Sequence, residues 1–216
     1  MTLEAFLALK RTNLQAILAL VDEQLGLRSD EALLAVGSLV EGLGSSKSDV
    51  DLFWITPRGA DELPPQSTLT IIAGECLVDV RILKVSDLQH LLGRFSAWCA
   101  QPWSTMLEAK FNLDDRLLLH RLLRGRPLSK THQAVVEPLQ PARDDLARLK
   151  LNIARHTSRT IQVDMIGYRE AGDFRSLVFA AQEVLGHAVD GLLAGYGQTN
   201  PQPRWRSRIL GSVPHG

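Results

Sequence analysis

Ala35-Val36-Gly37-Ser38-Leu39-Val40-Glu41-Gly42-Leu43-Gly44-Ser45-Ser46-Lys47-Ser48-Asp49-Val50-Asp51-Leu52-Phe53-Trp54-Ile55-Thr56 is the stretch from which the fold is read. An apolar run, Leu33 to Val36, stops at Gly37-Ser38. A segment rich in Gly and Ser follows. Asp49 and Asp51 then open a second apolar run, Leu52-Phe53-Trp54-Ile55. Side chains in a strand alternate with period two, so both carboxylates point to one side. Like charges side by side repel, and folding gains nothing from them. A divalent cation is the simplest compensation, and hard oxygen donors at this spacing suit Mg²⁺ with phosphate oxygens and water.

The Gly-Ser step supports the same chemistry. Gly lets the backbone approach a ligand closely, and the Ser38 hydroxyl can bond a phosphate. A helix is expected to begin at Ser38, its first N–H groups facing an anion. Gly37-Ser38 followed by Ser48-Asp49-Val50-Asp51-Leu52 resembles the signature of the polymerase-β-type nucleotidyltransferase superfamily: an apolar residue, Gly-Ser, a variable stretch, then acidic–apolar–acidic–apolar. The alternative is a Gly-Ser turn between two strands with a surface Asp pair. Many small members carry a basic residue before the second Gly of the helix; this chain has Glu41-Gly42, so no basic side chain stands there for a phosphate.

The resemblance implies a third carboxylate on a neighbouring strand. Thr68–Ala73 and Cys76–Leu83 read as strands joined at Gly74-Glu75, with Asp79 inside the second. A charge within an apolar strand needs a partner or a metal. Asp79 is therefore assigned as third metal ligand or general base. The alternative is a salt bridge to Arg81 or Lys84, and Glu75 is the competing acid.

The chain has 216 residues, enough for one large domain or two small ones. Lys plus Arg (24) equals Asp plus Glu (24), a balance that disfavours a dedicated nucleic-acid binder. Cys76 and Cys99 lie in no metal or redox spacing and read as reduced, although a single disulfide between them stays open. The six His show no metal-ligand spacing. The N-terminus lacks the basic region of a signal peptide, and no uninterrupted apolar run reaches membrane-spanning length. A cytoplasmic protein is expected.

Apolar residues at helical spacing fill residues 3–26, with a break near Thr12-Asn13. Pro57 to Pro65 is loop chemistry, and Arg58 reads as a solvated loop residue with a phosphate contact as the alternative. Ser86 and Gln89 fit a capping box for a helix to about Ala100. Helical patterns then dominate: one capped by Asn112 and stopped near Gly125, one over Arg143 to about Arg155, and one over Phe174 to Ala194 capped by Asp173. Leu128–Leu139 and Ile161–Arg169 are ambiguous, and Gly197–Gly216 reads as loop. The expected fold is α+β, with a catalytic domain over 1–100 (a mixed sheet with helices) and a helical domain over 101–216.

This layout resembles the small two-domain nucleotidyltransferases that modify antibiotics of the kanamycin and lincosamide type. The resemblance implies an enzyme in which Asp49, Asp51 and Asp79 hold two Mg²⁺ ions. Gly37, Ser38 and Ser48 would serve the nucleotide phosphates, Ser48 by orienting Asp49 or simply as a turn residue. Further cations would come from Lys110, Arg121, Arg124, Arg204 and Arg206. Arg204-Trp205-Arg206 either meets the nucleotide or docks the tail. The reaction expected is transfer of AMP from ATP to a hydroxyl of a small molecule, with homodimer formation left open. The alternatives are modification of a protein side chain, as in antitoxin-like nucleotidyltransferases, and a catalytically silent nucleotide-binding protein. The sequence leaves the acceptor unnamed.

Overall fold

The computed structural model describes residues 1–101 and 111–213. The fold is α+β: a mixed five-stranded sheet with flanking helices, then long helices. Two compact units form. One comprises Met1–Arg94 and Arg121–Gln140, the other Phe95–His120 and Pro141–Gly216.

In the first unit, α1 (Leu3–Leu9) and α2 (Leu14–Leu25) replace a single helix. The break falls where the pattern places it: Arg11 is left-handed at φ 52°, and the Asn13 side chain accepts from the Ala16 N–H at 2.9 Å, capping α2. The strands are β1 (Ala32–Val36), β2 (Val50–Thr56), β3 (Thr68–Ala73), β4 (Cys76–Lys84) and β5 (Arg126–Pro127), in the order β3-β4-β2-β1-β5. β2 and β4 run parallel and the other pairs antiparallel. The period-two alternation sends Leu33, Ala35, Leu52, Trp54, Val78 and Val80 to one face, where they form a core with Phe6, Ile17 and Val21 of the first two helices. The two-residue β5 is an edge strand, which tolerates Pro127, and it pairs with Leu34 and Ala35 of β1. It draws α5 (Lys130–Val136) into this unit.

α3 (Val85–Cys99) begins directly after β4, so Ser86 is its second residue and not a capping residue as the sequence suggests. α4 (Leu113–Arg124) is capped by Asn112, whose Oδ1 accepts from the Asp115 N–H at 2.8 Å.

In the second unit, α6 (Arg143–Glu170) takes in the ambiguous Ile161–Arg169 as helix. It turns tightly into α7 (Phe174–Gly195), capped by Asp173, which accepts from the Ser176 N–H at 3.1 Å. The tail is not all loop: Pro203–Trp205 forms a 3-10 turn leading into α8 (Arg206–Leu210). Phe95, Trp98 and Phe111 make an aromatic cluster with centroids 5.9–6.4 Å apart. By length and composition alone α7 could cross a bilayer, with 22% of that stretch buried, although Arg175, Glu183 and Asp190 interrupt its apolar run. Both cysteines are free thiols.

Candidate functional site

The site is built where β1 ends. Its five residues are all buried, and Gly37 follows at φ +80°, a conformation that disfavours any side chain. Space forbids one as well. A Cβ at Gly37 would lie 2.2 Å from Asp51 Oδ2, so the Asp51 carboxylate rests against bare backbone. The sheet register explains this closeness, because Val36 at the end of β1 pairs with Asp51 near the start of β2.

The helix expected at Ser38 does not form. Residues 38–42 make a turn that ends at once in a Schellman arrangement: the Leu43 N–H donates to the Ser38 carbonyl at 2.8 Å and the Gly42 N–H to the Leu39 carbonyl at 3.3 Å. Gly42 supplies the left-handed residue, at φ +74°. The second Gly of the motif therefore stops the helix after one turn, and the N–H array that a longer helix would aim at an anion is reduced to that turn. Ser48 is a turn residue. Its hydroxyl accepts from the Ser45 N–H at 2.9 Å, and its own N–H donates to the Ser45 carbonyl at 3.2 Å.

Asp51 and Asp79 are direct partners across the parallel β2–β4 pair, so their side chains share one face. That face is opposite the one packed on α1 and α2. Asp79 makes no ion pair with Arg81 or Lys84; the Thr70 hydroxyl, its partner across β3–β4, donates to Asp79 Oδ1 at 2.6 Å. Asp49 stands just before β2, exposed, two residues from Asp51. The Arg121 guanidinium approaches Asp51 Oδ2 at 3.8 Å and lies over the Phe53 ring at 5.7 Å. Glu75 is exposed in the β3–β4 turn, away from this register.

The register sets Asp51 and Asp79 side by side, with Asp49 two residues before Asp51. As the side chains lie, Asp79 keeps one oxygen for Thr70 and Asp51 faces Gly37. Among the described residues, no group of three or more His, Cys, Asp or Glu side chains converges enough to hold a metal ion.

The other expected cations fall elsewhere. Arg58 is neither solvated nor facing a phosphate. Its Nε lies 2.6 Å from Glu31 Oε1, its guanidinium stacks over Trp54 at 4.9 Å, and its Nη2 donates to the Gly26 carbonyl at 2.7 Å, closing the end of α2. Arg206 donates to Asp190 through Nε and Nη2, at 3.1 and 2.5 Å. Arg204 lies over the Trp205 ring at 5.0 Å and donates to Gln202 Oε1, which Trp205 also uses. The Arg-Trp-Arg stretch thus anchors its own segment. Lys110 lies outside the described residues, and Arg124 ends α4 as a last-turn cation.

Sequence reasoning missed Thr70 and Arg121 as neighbours of the carboxylates. Thr70 was within reach of it, since antiparallel pairing about the Gly74-Glu75 turn sets Thr70 opposite Asp79. No family model matches the chain, and no curated protein matches it.

Proposed function

We propose that this protein transfers a nucleoside monophosphate, AMP from ATP, to a hydroxyl of a small-molecule acceptor and releases pyrophosphate. The observation that supports this most is the register that sets Asp51 beside Asp79 and against the bare backbone of Gly37. Two carboxylates set side by side across the ladder repel each other, and such a pair suits a ligand of opposite charge. In this reading Asp49, Asp51 and Asp79 hold Mg²⁺. The bound metal would neutralise phosphate charge and acidify the acceptor hydroxyl. The turn after Gly37, with the Ser38 hydroxyl, would receive phosphate oxygens. The acceptor oxygen forms a bond to the α-phosphorus, the bond from that phosphorus to the β-bridging oxygen breaks, and pyrophosphate leaves with the electron pair. Asp79 takes the acceptor proton, and Thr70 holds its carboxylate in place. Such an enzyme would work in the cytoplasm, where ATP is available.

The test is pyrophosphate release with Mg²⁺, each of the four common nucleoside triphosphates and a panel of hydroxyl acceptors. The expected result is release that requires one acceptor class. In the double variant Asp49→Asn, Asp51→Asn the rate should fall by about a thousandfold, roughly 4 kcal/mol of barrier. Nucleotide binding that is Mg²⁺-independent and unaltered in that variant would sink the reading.

A further inference from the structure

The second unit contains a cleft of about 150 Å³, walled by apolar side chains such as Ile153, Pro201 and Pro203. Its polar lining has an imbalance of charge. Arg116, Lys150 and Arg206 face it, and so does one carboxylate, Asp190. Asp190 is already matched by the two-nitrogen grip of Arg206. Lys150 reaches the same carboxylate only at 3.6 Å, and its other contact is a neutral carbonyl, that of Asn200 at 2.8 Å. Arg116 donates from Nε to the Asn112 carbonyl at 3.2 Å, again a neutral partner. Three cations against one carboxylate leave two positive charges in excess. His187 does not redress this, since burial pushes its imidazole down toward the neutral form.

Such a surplus is costly. Lys150 is 7% exposed, and a buried ammonium without a full counter-charge is among the least favourable groups a fold can hold. Burial also presses the Lys150 and Arg116 values downward, and the attraction of Asp190 opposes this for both. Arg116 stays charged regardless. Low-polarity walls strengthen attraction for any anion that enters. Two excess charges match a phosphate dianion better than a singly charged carboxylate. The space exceeds what the phosphate group alone fills, so a small organic portion fits against Ile153 and the two prolines.

We propose that this cleft binds a phosphate monoester, with Arg116 and Lys150 as its two charge partners and Arg206 held back on Asp190. All of its lining residues belong to the helical unit, and none lies on β2 or β4.

The experiment uses the full chain, with inorganic phosphate and methyl phosphate as probes and acetate as the carboxylate arm. Each is titrated at constant ionic strength against chloride, and binding is read by calorimetry and by the shift in thermal unfolding. Phosphate and methyl phosphate should bind, acetate at least tenfold more weakly. Arg116→Gln, at a half-buried position, should fold and weaken phosphate at least tenfold. Lys150→Met, which keeps the side-chain volume, should do the same. The Asp49→Asn, Asp51→Asn protein should bind phosphate as the parent does, which separates this site from the one at β2. Binding no better than chloride overturns the proposal, and so does phosphate binding undiminished in both Arg116→Gln and Lys150→Met. Equal affinity for acetate would overturn the choice of a phosphate.

Discussion

The two ends of β2 carry opposite solutions to the same problem, that of a carboxylate beside a buried strand. At the C-terminal end Glu31 is fully enclosed, with a side chain 0% exposed, and every oxygen is engaged. Arg58 holds it with Nε at 2.6 Å and Nη2 at 2.7 Å, the Thr56 hydroxyl donates a short bond, and the Arg28 N–H donates at 2.9 Å. At the N-terminal end Asp51 is one-third exposed, the Arg121 guanidinium stands 3.8 Å from it, and its neighbour across the ladder is another acid. The first end is built for stability. The second sets two acids side by side at a partly exposed position, and it is this pair that the proposed reading gives to a ligand.

The sharpest way to break this contrast is Arg58→Ala. It leaves Glu31 buried and unpaired and frees the carbonyls that end α2. A loss of about 3–5 kcal/mol is expected, read by urea unfolding. A loss near zero would mean that the enclosed end is no more structural than the open one. The same network sets an acid limit. Burial alone would push the Glu31 carboxyl up, but hydrogen bonds from Arg58, Thr56 and the Arg28 N–H outweigh it and leave the group below its ordinary 4.5. A depressed carboxyl contributes stability above its unfolded value and loses it as pH falls through the folded one. Stability should therefore decline below pH 4.5, and the decline should flatten in Glu31→Gln.

Gly37→Ala is next in size. The left-handed backbone costs a side chain roughly 1–2 kcal/mol, and the new Cβ must displace the Asp51 carboxylate besides. Unfolding measures the first effect. Pyrophosphate release measures the second, and it should fall by more than the stability loss explains. Thr70→Val should cost about 1 kcal/mol or less, since the bond to Asp79 is exposed to water.

The contrast also explains what could be read from sequence. Asn13, Asn112 and Asp173 act locally, each capping a helix within three residues, and all three are legible. So are β1, β2, β3 and β4, because alternation and turn residues are local signals. Gly42 is equally local, but as the second Gly of the motif it suggests a helix, whereas its positive φ closes a turn over residues 38–42. The rest depends on partners far along the chain. Arg58 meets Glu31 and the end of α2, and Arg206 meets Asp190. A two-residue strand such as β5 carries no periodicity, yet it brings Arg126–Pro127 back to β1 and so returns this later part of the chain to the first unit. Asp51 and Asp79 sit between these cases: each strand is readable alone, but their pairing is a fact of the parallel register.

The smallest stability change is expected from Asp51→Asn, and it is the most informative. The substitution removes an attraction to Arg121 across 3.8 Å at a partly exposed position, worth about 1 kcal/mol at most. It also removes repulsion from Asp79 directly across the ladder, of similar size and opposite sign. The amide keeps the volume and the closeness to Gly37. Unfolding free energy should then stay within about 0.5 kcal/mol of the parent, while nucleotidyl transfer is lost. Retained stability with lost transfer would mark Asp51 as a carboxylate that the register and Gly37 hold for a ligand. A destabilisation on the scale of Arg58→Ala would show instead that Asp51 belongs with Glu31 as a structural acid, and the two ends of β2 would no longer differ in kind.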